Sequence, residues 1–371
     1  MTKEKTILLV GGGTGGHIVP IFELYEKLKE SDKSLTIKVV GGGTLIEGQF
    51  FGGNSDYIAI ETGKLHRAFT FKIINEIRKY FVGRAQARKI LSDLKPDLIF
   101  SKGGYVSLPV IYWAKKLKIP YFIHESDIEM GEANKYAAKG ATKVFVGFKT
   151  ENYKDLHSDK LIFAGQFIPT LLLKQEKTKS LFDNAKPTIF VTGGSQGAIA
   201  INDVVKSSVV SLAKSYNIIH QTGDFDFDKM TKFRESLDDE TKESYIVRSF
   251  FPHESGADGI YSVYRASDLF VGRASITFPA EATAVGLPLI LIPYPHASAD
   301  HQLKNGQALE KEGACVMIEQ KDLNADLLIR KINGLMADPE KCDRMVSKAK
   351  EYFGSNALLV ITESILNEIE K

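Results

Sequence analysis

The sequence is poor in the features that mark several classes of protein. Among its 371 residues there are only two cysteines, Cys315 and Cys342, and their spacing is not that of a metal site. This argues against a disulfide framework and a cysteine-based zinc site, and it favours a reducing compartment. No apolar run approaches the roughly 18 residues that a membrane-spanning helix needs. These absences predict a globular protein that does not cross a membrane.

What is present is the pattern of an α/β protein with two domains. The length fits two domains of roughly 150 to 200 residues, and hydrophobic residues at 43% and charged residues at 25% are ordinary for folded proteins. Short apolar runs alternate with amphipathic stretches of helical period, which predicts doubly wound domains with parallel sheets. The predicted strands are Thr6–Val10, Thr36–Val40, Leu98–Phe100, Tyr121–His124, Lys143–Val146, Thr188–Thr192, Ile218–Gln221, Leu269–Val271 and Leu289–Ile292.

One device occurs twice along the chain, a strand that runs into a glycine-rich turn and then an amphipathic helix. In the first copy Thr6–Val10 leads into Gly11–Gly16, and in the second Thr188–Thr192 leads into Gly193–Gly197. Two nucleotide-fold domains in tandem are the simplest interpretation.

The predicted boundary between the two domains lies near Gly165 to Pro169. We therefore expect an N-terminal Rossmann-like domain of residues 1–164 and a C-terminal one of residues 165–371. The last predicted helix, within about 356–371, is free to pack back on the N-terminal domain.

Each glycine loop is a candidate cradle for an anion. Glycines between a parallel strand and a helix let backbone N–H groups approach an oxyanion, and the helix N-terminus adds partial positive charge. Gly11, Gly13 and Gly16 satisfy the spacing of a dinucleotide-binding loop, although a tight turn explains the same glycines. A dinucleotide site also needs an acidic residue at the end of the second strand, where the sequence has Gly41–Thr44. The first loop therefore indicates phosphate binding without an adenosine, and a nicotinamide-dependent dehydrogenase is disfavoured.

His17 follows the first loop directly, on the opening turn of the predicted helix. A histidine beside a phosphate site is a candidate general base, because its pKa can be tuned there. A single histidine is also commonly structural, or a solvated helix cap. The spacing alone leaves both interpretations open.

A basic and apolar stretch lies in the first half of the chain. From Lys64 to Lys95 there are nine lysine or arginine residues against Glu76 and Asp93, so this stretch alone carries about +7. Aromatic and aliphatic residues interleave with the basic ones, which suits the interface of a membrane rich in anionic lipid. A solvated basic helix packed on the sheet is the alternative. Nucleic acid binding is disfavoured, because no recognised module accompanies the charge.

Several separate motifs, in the right order along nearly the whole chain, resemble those of a known family. They are Gly12–His17 followed by Pro20, Ser101–Tyr105 before Pro109, His124–Asp127 with Gly131 and Asn134, Gly193–Ala198, Arg273, Thr277, Glu281, Ala284–Pro288, Pro293, His296, Asp300–Gln302 and Asn305. In this combination the chain resembles the MurG N-acetylglucosaminyltransferases of bacterial cell-wall synthesis. The combination is far more specific than either glycine loop alone.

The resemblance implies a GT-B fold, in which two Rossmann-like, doubly wound parallel-sheet domains face an interdomain cleft. The implied activity is the inverting transfer of N-acetylglucosamine from UDP-N-acetylglucosamine to lipid I, the undecaprenyl-diphosphate-linked muramoyl peptide, which gives lipid II. A lipid acceptor implies a peripheral enzyme on the cytoplasmic side of the cell membrane, with partner proteins of cell-wall synthesis. No metal or other cofactor is expected, since the second loop and its helix can stabilise the leaving diphosphate. The alternatives are another GT-B UDP-sugar transferase, a UDP-sugar epimerase, or a sugar-nucleotide-binding regulator without turnover.

The same resemblance implies roles for individual residues, with the acceptor in the N-terminal domain and UDP-N-acetylglucosamine in the C-terminal one. His17 is expected to take the proton from the attacking hydroxyl or to orient the acceptor diphosphate. Glu281 is expected to accept hydrogen bonds from both ribose hydroxyls, with a helix-dipole acid as the alternative. The expected donor contacts are Thr14, Gly15, Gly16, Asp127, Gly194, Ser195, Gln196, Gly197, Phe251, Arg273, Glu281, His301 and Gln302. The expected contacts of the acceptor diphosphate are Gly13, Thr14, Gly15, Gly16, Gly104, Tyr105, His124 and Glu125.

The expected membrane contacts come from the basic and apolar stretch, and they are Phe69, Phe71, Lys72 and Phe81. The chain also departs from the family pattern in three places. Pro169 stands where many members carry an arginine, Ser275 replaces a usual glycine, and Pro252–Gly259 looks like a short insertion. These departures concern the donor contacts more than the fold or the reaction.

Overall fold

The computed structural model describes residues 5–63, 72–153, 158–176, 181–253, 259–354 and 356–371. The chain divides into two compact units, the first formed by Met1–Phe167 with Gly354–Lys371 and the second by Ile168–Phe353. The division falls three residues beyond the boundary that the sequence predicts, and the last helix belongs to the first unit.

The strands form one parallel sheet in each unit. Those of the first unit are β1 (Thr6–Val10), β2 (Thr36–Gly41), β3 (Tyr57–Ala59), β4 (Leu98–Ser101), β5 (Tyr121–Glu125), β6 (Lys143–Val146) and β7 (Leu161–Phe163). Those of the second unit are β8 (Thr188–Thr192), β9 (Asn217–Gln221), β10 (Tyr245–Arg248), β11 (Leu269–Gly272), β12 (Leu289–Leu291) and β13 (Val316–Met317).

Helices connect the strands and cover the sheets. They are α1 (Gly15–Ser31), α2 (Leu45–Phe51), α3 (Lys72–Leu94), α4 (Ser107–Leu117), α5 (Glu132–Ala138), α6 (Thr170–Lys174), α7 (Ile199–Leu212), α8 (Asp224–Glu235), α9 (Asp239–Glu243), α10 (Ile260–Arg265), α11 (Thr277–Val285), α12 (His301–Lys311), α13 (Ala325–Met336), α14 (Pro339–Phe353) and α15 (Ala357–Ile369). Of these described helices, none combines the length and the apolar character that crossing a bilayer requires.

The order of the strands confirms the predicted doubly wound class. The first sheet has the order β3-β2-β1-β4-β5-β6-β7, and the second has the order β10-β9-β8-β11-β12-β13. The order reverses between β1 and β4 in the first unit and between β8 and β11 in the second. In such sheets the carboxyl ends of the strands at the reversal form the binding crevice. Both glycine loops follow a strand at a reversal, β1 and β8.

The core of each unit is apolar and explains where the last helix lies. In the first unit Ile7 and Leu9 of β1 share one buried cluster with Leu358, Ile361 and Ile365 of α15. These three residues lie at helical spacing on one face of α15. Burying that face against the first sheet removes it from water, so the C-terminal helix is part of the first unit.

The structure adds four strands that the sequence did not predict, β3, β7, β10 and β13. Each lies at an edge of its sheet. An edge strand has a neighbour on one side only and is often short, so its sequence carries a weaker apolar signal than a central strand. β13, for example, has only two residues, Val316–Met317, and both are partly exposed.

Candidate active site

The first glycine loop presents three backbone amides at the start of α1 that no described residue accepts from. β1 ends at Val10 and the helix begins at Gly15. The first N–H groups of a helix have no partner within the helix. Among the described residues, nothing accepts a hydrogen bond from the amides of Thr14, Gly15 or Gly16. These donors, at the positive end of a 17-residue helix, form an anion-binding surface.

His17 lies on the first turn of α1, partly exposed, and is held by its own loop. Its Nδ1 atom is 2.8 Å from Oγ1 of Thr14, and no described residue hydrogen-bonds to Nε2. Burial among the loops, with a further contribution from the ammonium of Lys102, lowers the pKa of His17 to about 3. The imidazole is therefore neutral near pH 7, and an anion bound beside it would raise this pKa toward the range that a general base needs.

The loop after β4 packs against His17. A Cβ atom added to Gly104 would lie 3.8 Å from the imidazole ring, so the main chain passes close to the ring face. The next residue, Tyr105, is 46% exposed. Two residues predicted to contact the acceptor, Gly104 and Tyr105, thus lie in the same loop cluster as His17.

A buried lysine connects this cluster to the end of β5. Lys102 is 3% exposed, and its Nζ atom donates a hydrogen bond of 2.8 Å to Oγ of Ser126. Burial lowers the pKa of Lys102, although the carboxylates of Glu125 and Asp127 act in the opposite direction. Its ammonium lowers the pKa of His17 through space, and the sequence analysis assigned Lys102 no role.

His124 and Glu125, at the end of β5, are buried beneath the surface of the first unit. Nε2 of His124 is 3.0 Å from the carbonyl oxygen of Gly165. The carboxylate of Glu125 accepts hydrogen bonds from the N–H groups of Asp127 and Gly131, at 3.0 and 2.9 Å. Burial, together with neighbouring Asp127, raises the pKa of Glu125. Both side chains order the segment after β5, and neither has the exposure that the predicted contact with an acceptor diphosphate needs.

A second buried carboxylate lies behind the first loop, and the sequence analysis did not identify it. Glu47 of α2 is fully buried, and its Oε1 atom accepts a hydrogen bond of 2.6 Å from the N–H of Gly13. The amide of Gly13, predicted to contact the acceptor diphosphate, is therefore already bonded within the protein. The available signal was Thr44 followed three residues later by Glu47, the pattern of a helix capping box.

The second glycine loop, in the second unit, has a similar construction. Oγ1 of Thr192 accepts hydrogen bonds from the N–H of Gly194 at 3.0 Å and from Nε2 of Gln221 at 3.1 Å, which fixes the start of the loop. Ser195 and Gln196 are exposed, and within the described part of the chain their amides find no hydrogen-bond acceptor. These amides and the N-terminus of the 14-residue helix α7 form a second anion-binding surface.

Phe251 is fixed by the same glutamine. Its N–H donates a hydrogen bond of 3.0 Å to Oε1 of Gln221, and its ring packs edge-on against Phe190, with 6.3 Å between centroids. The ring belongs to the core, since Phe251 is 4% exposed. The predicted donor contact of Phe251 would therefore involve its main chain rather than stacking on its ring.

Glu281 of α11 is fully buried beside α10. Its Oε2 atom accepts a hydrogen bond of 2.9 Å from the hydroxyl of Tyr264. Burial and the adjacent carboxylate raise the pKa of Tyr264 well above its usual value, so the phenol stays protonated and remains a donor. Glu281 lies beyond the first turn of α11, which holds no acidic residue, and the helix-dipole interpretation is therefore disfavoured.

Arg273 is turned toward the protein. Its Nη1 atom donates to the carbonyl oxygens of Ile292 and Pro293, at 3.1 and 3.2 Å, and its Nη2 atom donates to Oε1 of Gln320 at 2.8 Å. Burial lowers its pKa to about 10, so the guanidinium is still charged near pH 7. The structure uses these donors to fix the segment after β12, and they are not available to a diphosphate in this conformation.

The segment fixed by Arg273 reaches two further predicted donor contacts, His301 and Gln302. The Cζ atom of Arg273 lies 5.3 Å from the ring centre of Tyr294, and the N–H of Tyr294 donates a hydrogen bond of 3.0 Å to Oε1 of Gln302. His301 and Gln302 open α12, and both are partly exposed. The structure thus brings Arg273, His301 and Gln302 together around one segment.

A separate surface of the first unit carries aromatic and basic side chains from α3 and α4. The guanidinium of Arg84 lies 3.8 Å from the ring centre of Tyr112 and 5.9 Å from that of Phe81, and the guanidinium of Arg88 lies 5.0 Å from Trp113. Phe81 is 58% exposed. We call Phe81, Arg84, Arg88, Tyr112 and Trp113 the basic aromatic surface.

Some predicted residues lie outside the described part of the chain. These are Phe69 and Phe71, the side chain of Lys72, and positions 254–258 of the predicted insertion Pro252–Gly259. Pro169 is described and precedes the first residue of α6. Within the described ranges, no group of three or more His, Cys, Asp or Glu side chains is placed to hold a metal ion.

Two family models match the chain, one in each half. The N-terminal domain of glycosyltransferase family 28 matches residues 7–146, and the C-terminal domain of the same family matches residues 188–359. The crystal structure of Acinetobacter baumannii MurG has a TM-score of 0.72 at 21% identity and covers 98% of this chain and 99% of that one. This likeness confirms the predicted GT-B fold class.

Curated relatives align along almost the whole length. A UDP-N-acetylglucosamine--N-acetylmuramyl-(pentapeptide) pyrophosphoryl-undecaprenol N-acetylglucosamine transferase of Listeria welshimeri serovar 6b is 30% identical over 366 residues, which are 97% of this chain and 98% of the relative. The protein of the same name from Clostridium novyi is 35% identical over 352 residues, 92% of this chain and 93% of the relative. By these matches the chain belongs to glycosyltransferase family 28 and, within it, to the MurG family of N-acetylglucosaminyltransferases.

Proposed function

We propose that the chain transfers N-acetylglucosamine from UDP-N-acetylglucosamine to lipid I, with inversion at the anomeric carbon, and so forms lipid II. Relatives aligned over nearly the whole chain are named for this transfer. The observation that carries the proposal is the position of His17 beside the amides of Thr14, Gly15 and Gly16, to which no described residue provides an acceptor. A base next to an oxyanion-binding surface suits an acceptor whose reacting sugar carries a diphosphate.

On the acceptor side, the amides of Thr14, Gly15 and Gly16 bind the diphosphate of lipid I, with Gly104 and Tyr105 beside the sugar. In this proposal Nδ1 of His17 carries the ring proton and donates a hydrogen bond to Oγ1 of Thr14, 2.8 Å away. This tautomer leaves the lone pair on Nε2, the atom that then takes the proton of the attacking hydroxyl. The hydrogen bond from Nδ1 thus both orients the ring and selects its basic nitrogen.

On the donor side, the second loop binds the diphosphate of UDP through the amides around Ser195 and Gln196, with Gly194 and Gly197 allowing close approach. His301 and Gln302 contact the transferred sugar, and Asp127 is a further donor contact. These assignments draw on the exposed loop amides and on the position of both side chains at the start of α12.

Glu281 accepts hydrogen bonds from the ribose hydroxyls in this proposal. A carboxylate has two oxygens and suits a pair of neighbouring hydroxyl donors. Because Glu281 is fully buried and bonded to Tyr264 in the structure, its role requires a local rearrangement when the nucleotide binds.

The reaction replaces one C–O bond at the anomeric carbon of N-acetylglucosamine with another. The acceptor hydroxyl oxygen forms the new bond while the bond to the UDP oxygen breaks, and the hydroxyl proton passes to Nε2 of His17. Attack opposite the departing UDP inverts the configuration. The second loop and the N-terminus of α7 stabilise the charge that develops on the leaving diphosphate, so the proposed step needs no metal ion.

We further propose that the enzyme works at the cytoplasmic surface of the cell membrane, where its lipid acceptor resides. The support comes from the basic aromatic surface, since exposed Phe81 and the two arginines suit an interface with anionic lipid. Burial of Phe81 in the lipid interface would add apolar attraction to the charge attraction of Arg84 and Arg88. The alternative is that these side chains only stabilise the contact between α3 and α4.

The decisive experiment is release of UDP by the purified chain from UDP-N-acetylglucosamine in the presence of a lipid I analogue. We expect release that depends on both substrates, together with a disaccharide product identified by mass spectrometry. Conversion of UDP-N-acetylglucosamine without an acceptor would indicate an epimerase instead. Binding without any turnover would indicate a sugar-nucleotide-binding regulator, and the transferase assignment would then be withdrawn.

A further inference from the structure

A buried carboxylate joins three segments of the first unit directly behind the first glycine loop. Oε1 of Glu47 accepts the N–H of Gly13 at 2.6 Å, after β1. Oε2 accepts the N–H of Thr44 at 3.0 Å, after β2, and the hydroxyl of Tyr57 at 2.6 Å, from β3. Glu47 itself is fully buried. One side chain therefore fixes the relative positions of the segments that follow β1 and β2.

The phenol of Tyr57 extends this network. Its oxygen accepts a hydrogen bond of 3.0 Å from the N–H of Gly43 while its hydroxyl donates to Glu47. Burial, and then the hydrogen bond to Glu47, raise the pKa of Tyr57 far above its usual value, so the phenol remains protonated at any physiological pH. Tyr57 thus connects a further backbone amide to the carboxylate.

The space for these two side chains is provided by glycines. A Cβ atom at Gly12 would overlap Oε1 of Glu47, and a Cβ atom at Gly41 would overlap the hydroxyl of Tyr57. The carboxylate and the phenol therefore account for these two glycines. Gly41, which ends the second strand where a dinucleotide site would need an acidic residue, makes room for the phenol of Tyr57 instead.

Glu47 also determines which amides remain for a ligand. It accepts the hydrogen bond of the Gly13 N–H. The next three amides, those of Thr14, Gly15 and Gly16, have no acceptor among the described residues. Thr14 in turn holds Nδ1 of His17. The carboxylate is thus one residue away from the backbone that presents both the base and the oxyanion-binding amides.

We propose that Glu47 is a positioning residue for the transfer reaction, which holds the first loop through Gly13 so that the amides of Thr14, Gly15 and Gly16 and the imidazole of His17 face the acceptor. This inference rests on the proposed function. Charge-assisted hydrogen bonds are short and strong, so a buried carboxylate is well suited to hold a glycine-rich loop in one conformation. Glu47 makes no contact with substrate in this role and acts through the loop.

The test compares Glu47→Gln with Glu26→Gln, a control that makes the same change on an exposed residue of α1. A glutamine has one acceptor oxygen and cannot serve both Gly13 and the pair of Thr44 and Tyr57. In steady-state kinetics we expect the Glu47→Gln variant to lose at least tenfold in kcat/KM for a lipid I analogue, with the Kd for UDP within twofold of the wild type. The control should match the wild type in both quantities. Equal acceptor kinetics in the two variants would overturn the proposal.

A second readout does not depend on turnover. Amide hydrogen exchange at Gly13 should be at least tenfold faster in Glu47→Gln than in the wild type or the control, because this N–H loses its acceptor. If the wild type releases no UDP, the proposed function fails, and exchange still decides whether Glu47 holds the loop. If Glu47→Gln does not fold, Tyr57→Phe is tested in its place. This change removes one of the hydrogen bonds to Oε2 of Glu47, so it should accelerate exchange at Gly13 to a smaller extent. Unchanged exchange in whichever variant folds would overturn the proposal.

Discussion

The hydroxyl of Tyr264 donates a hydrogen bond of 2.9 Å to Oε2 of Glu281, and both side chains are fully buried. The carboxylate proposed to bind ribose is therefore held from inside the second unit, by a donor that stays protonated because its pKa is raised. Tyr264 sets the position of one oxygen of Glu281 before a nucleotide arrives. This arrangement separates two contributions that mutations can distinguish, the carboxylate itself and its orientation.

Glu281→Ala should weaken UDP binding by about 2 kcal/mol, or roughly 30-fold, because hydrogen bonds to a charged acceptor are lost. Tyr264→Phe keeps the carboxylate and removes one hydrogen-bond donor to its Oε2 atom, so we expect a smaller loss. Isothermal titration of both variants with UDP, below their unfolding temperatures, measures the difference. Wild-type affinity in Glu281→Ala would show that the ribose is bound elsewhere.

His17→Ala should lower turnover by a factor on the order of 100 to 10,000, the usual contribution of a general base. UDP affinity should stay within about twofold, because the variant leaves the second loop intact. His17→Gln is the informative companion, since glutamine can still hydrogen-bond to Thr14 but is not a base at neutral pH. If His17→Gln turned over at the wild-type rate, the imidazole would orient the acceptor diphosphate rather than take a proton.

Phe81→Ser should weaken binding to vesicles that contain anionic lipid by about 1 to 2 kcal/mol, since an exposed ring can no longer enter the interface. Phe225→Ser is the matched control, because Phe225 is 81% exposed and belongs to the second unit, not to the basic aromatic surface. Vesicle sedimentation at low and high salt measures both variants and the charge contribution. Equal vesicle binding by Phe81→Ser and the control would favour the alternative in which α3 is a solvated basic helix that does not contact the membrane.

Stability should fall on acidification because of buried neutral histidines. His220 is fully buried, its ring nitrogens contact the hydroxyl of Tyr245 and Oδ1 of Asn202, and burial lowers its pKa to about 3. Between about pH 6.5 and 3 the unfolded chain binds a proton at this position that the folded chain does not, so the free energy of unfolding decreases as pH falls through this window.

Urea unfolding between pH 5.5 and 4.5 measures this effect against His220→Gln. The variant should lose less stability per pH unit than the wild type, by up to about 1.4 kcal/mol, the contribution of one titrating group. His124 and His253, whose pKa values burial also lowers, keep part of the slope in the variant. Identical slopes would mean that His220 is protonated in the folded protein.

The sequence predicted the central strands well and the edge strands not at all. β1, β6 and β8 have the predicted bounds, because a strand buried on both faces reads as an uninterrupted apolar run. β3 and β13 each pair with one neighbouring strand only. β3 has three residues and β13 has two, too few to form such an apolar run. Their strand character depends on the adjacent backbone, which no local pattern encodes.

The sequence predicted which loops form the candidate site, but it did not predict the hydrogen bonds that their side chains make. Motif spacing placed His17 beside a phosphate loop, and the structure adds that Thr14 orients the ring and that Lys102 lowers its pKa. The same motifs placed Arg273 among the donor contacts, whereas in the structure its guanidinium donates to Ile292, Pro293 and Gln320. A residue type states which bonds are possible, and only the packing around it decides which are made.

The sequence by itself determined the two strand–loop–helix devices, the doubly wound class and the family, because these depend on local periodicity and on motifs contiguous in the chain. Only the tertiary structure decided that Glu47 reaches back to Gly13 and that α15 completes the first unit, since both depend on contacts between segments far apart in sequence. Buried polar groups must find partners wherever the fold places them, and a sequence does not state where those partners are.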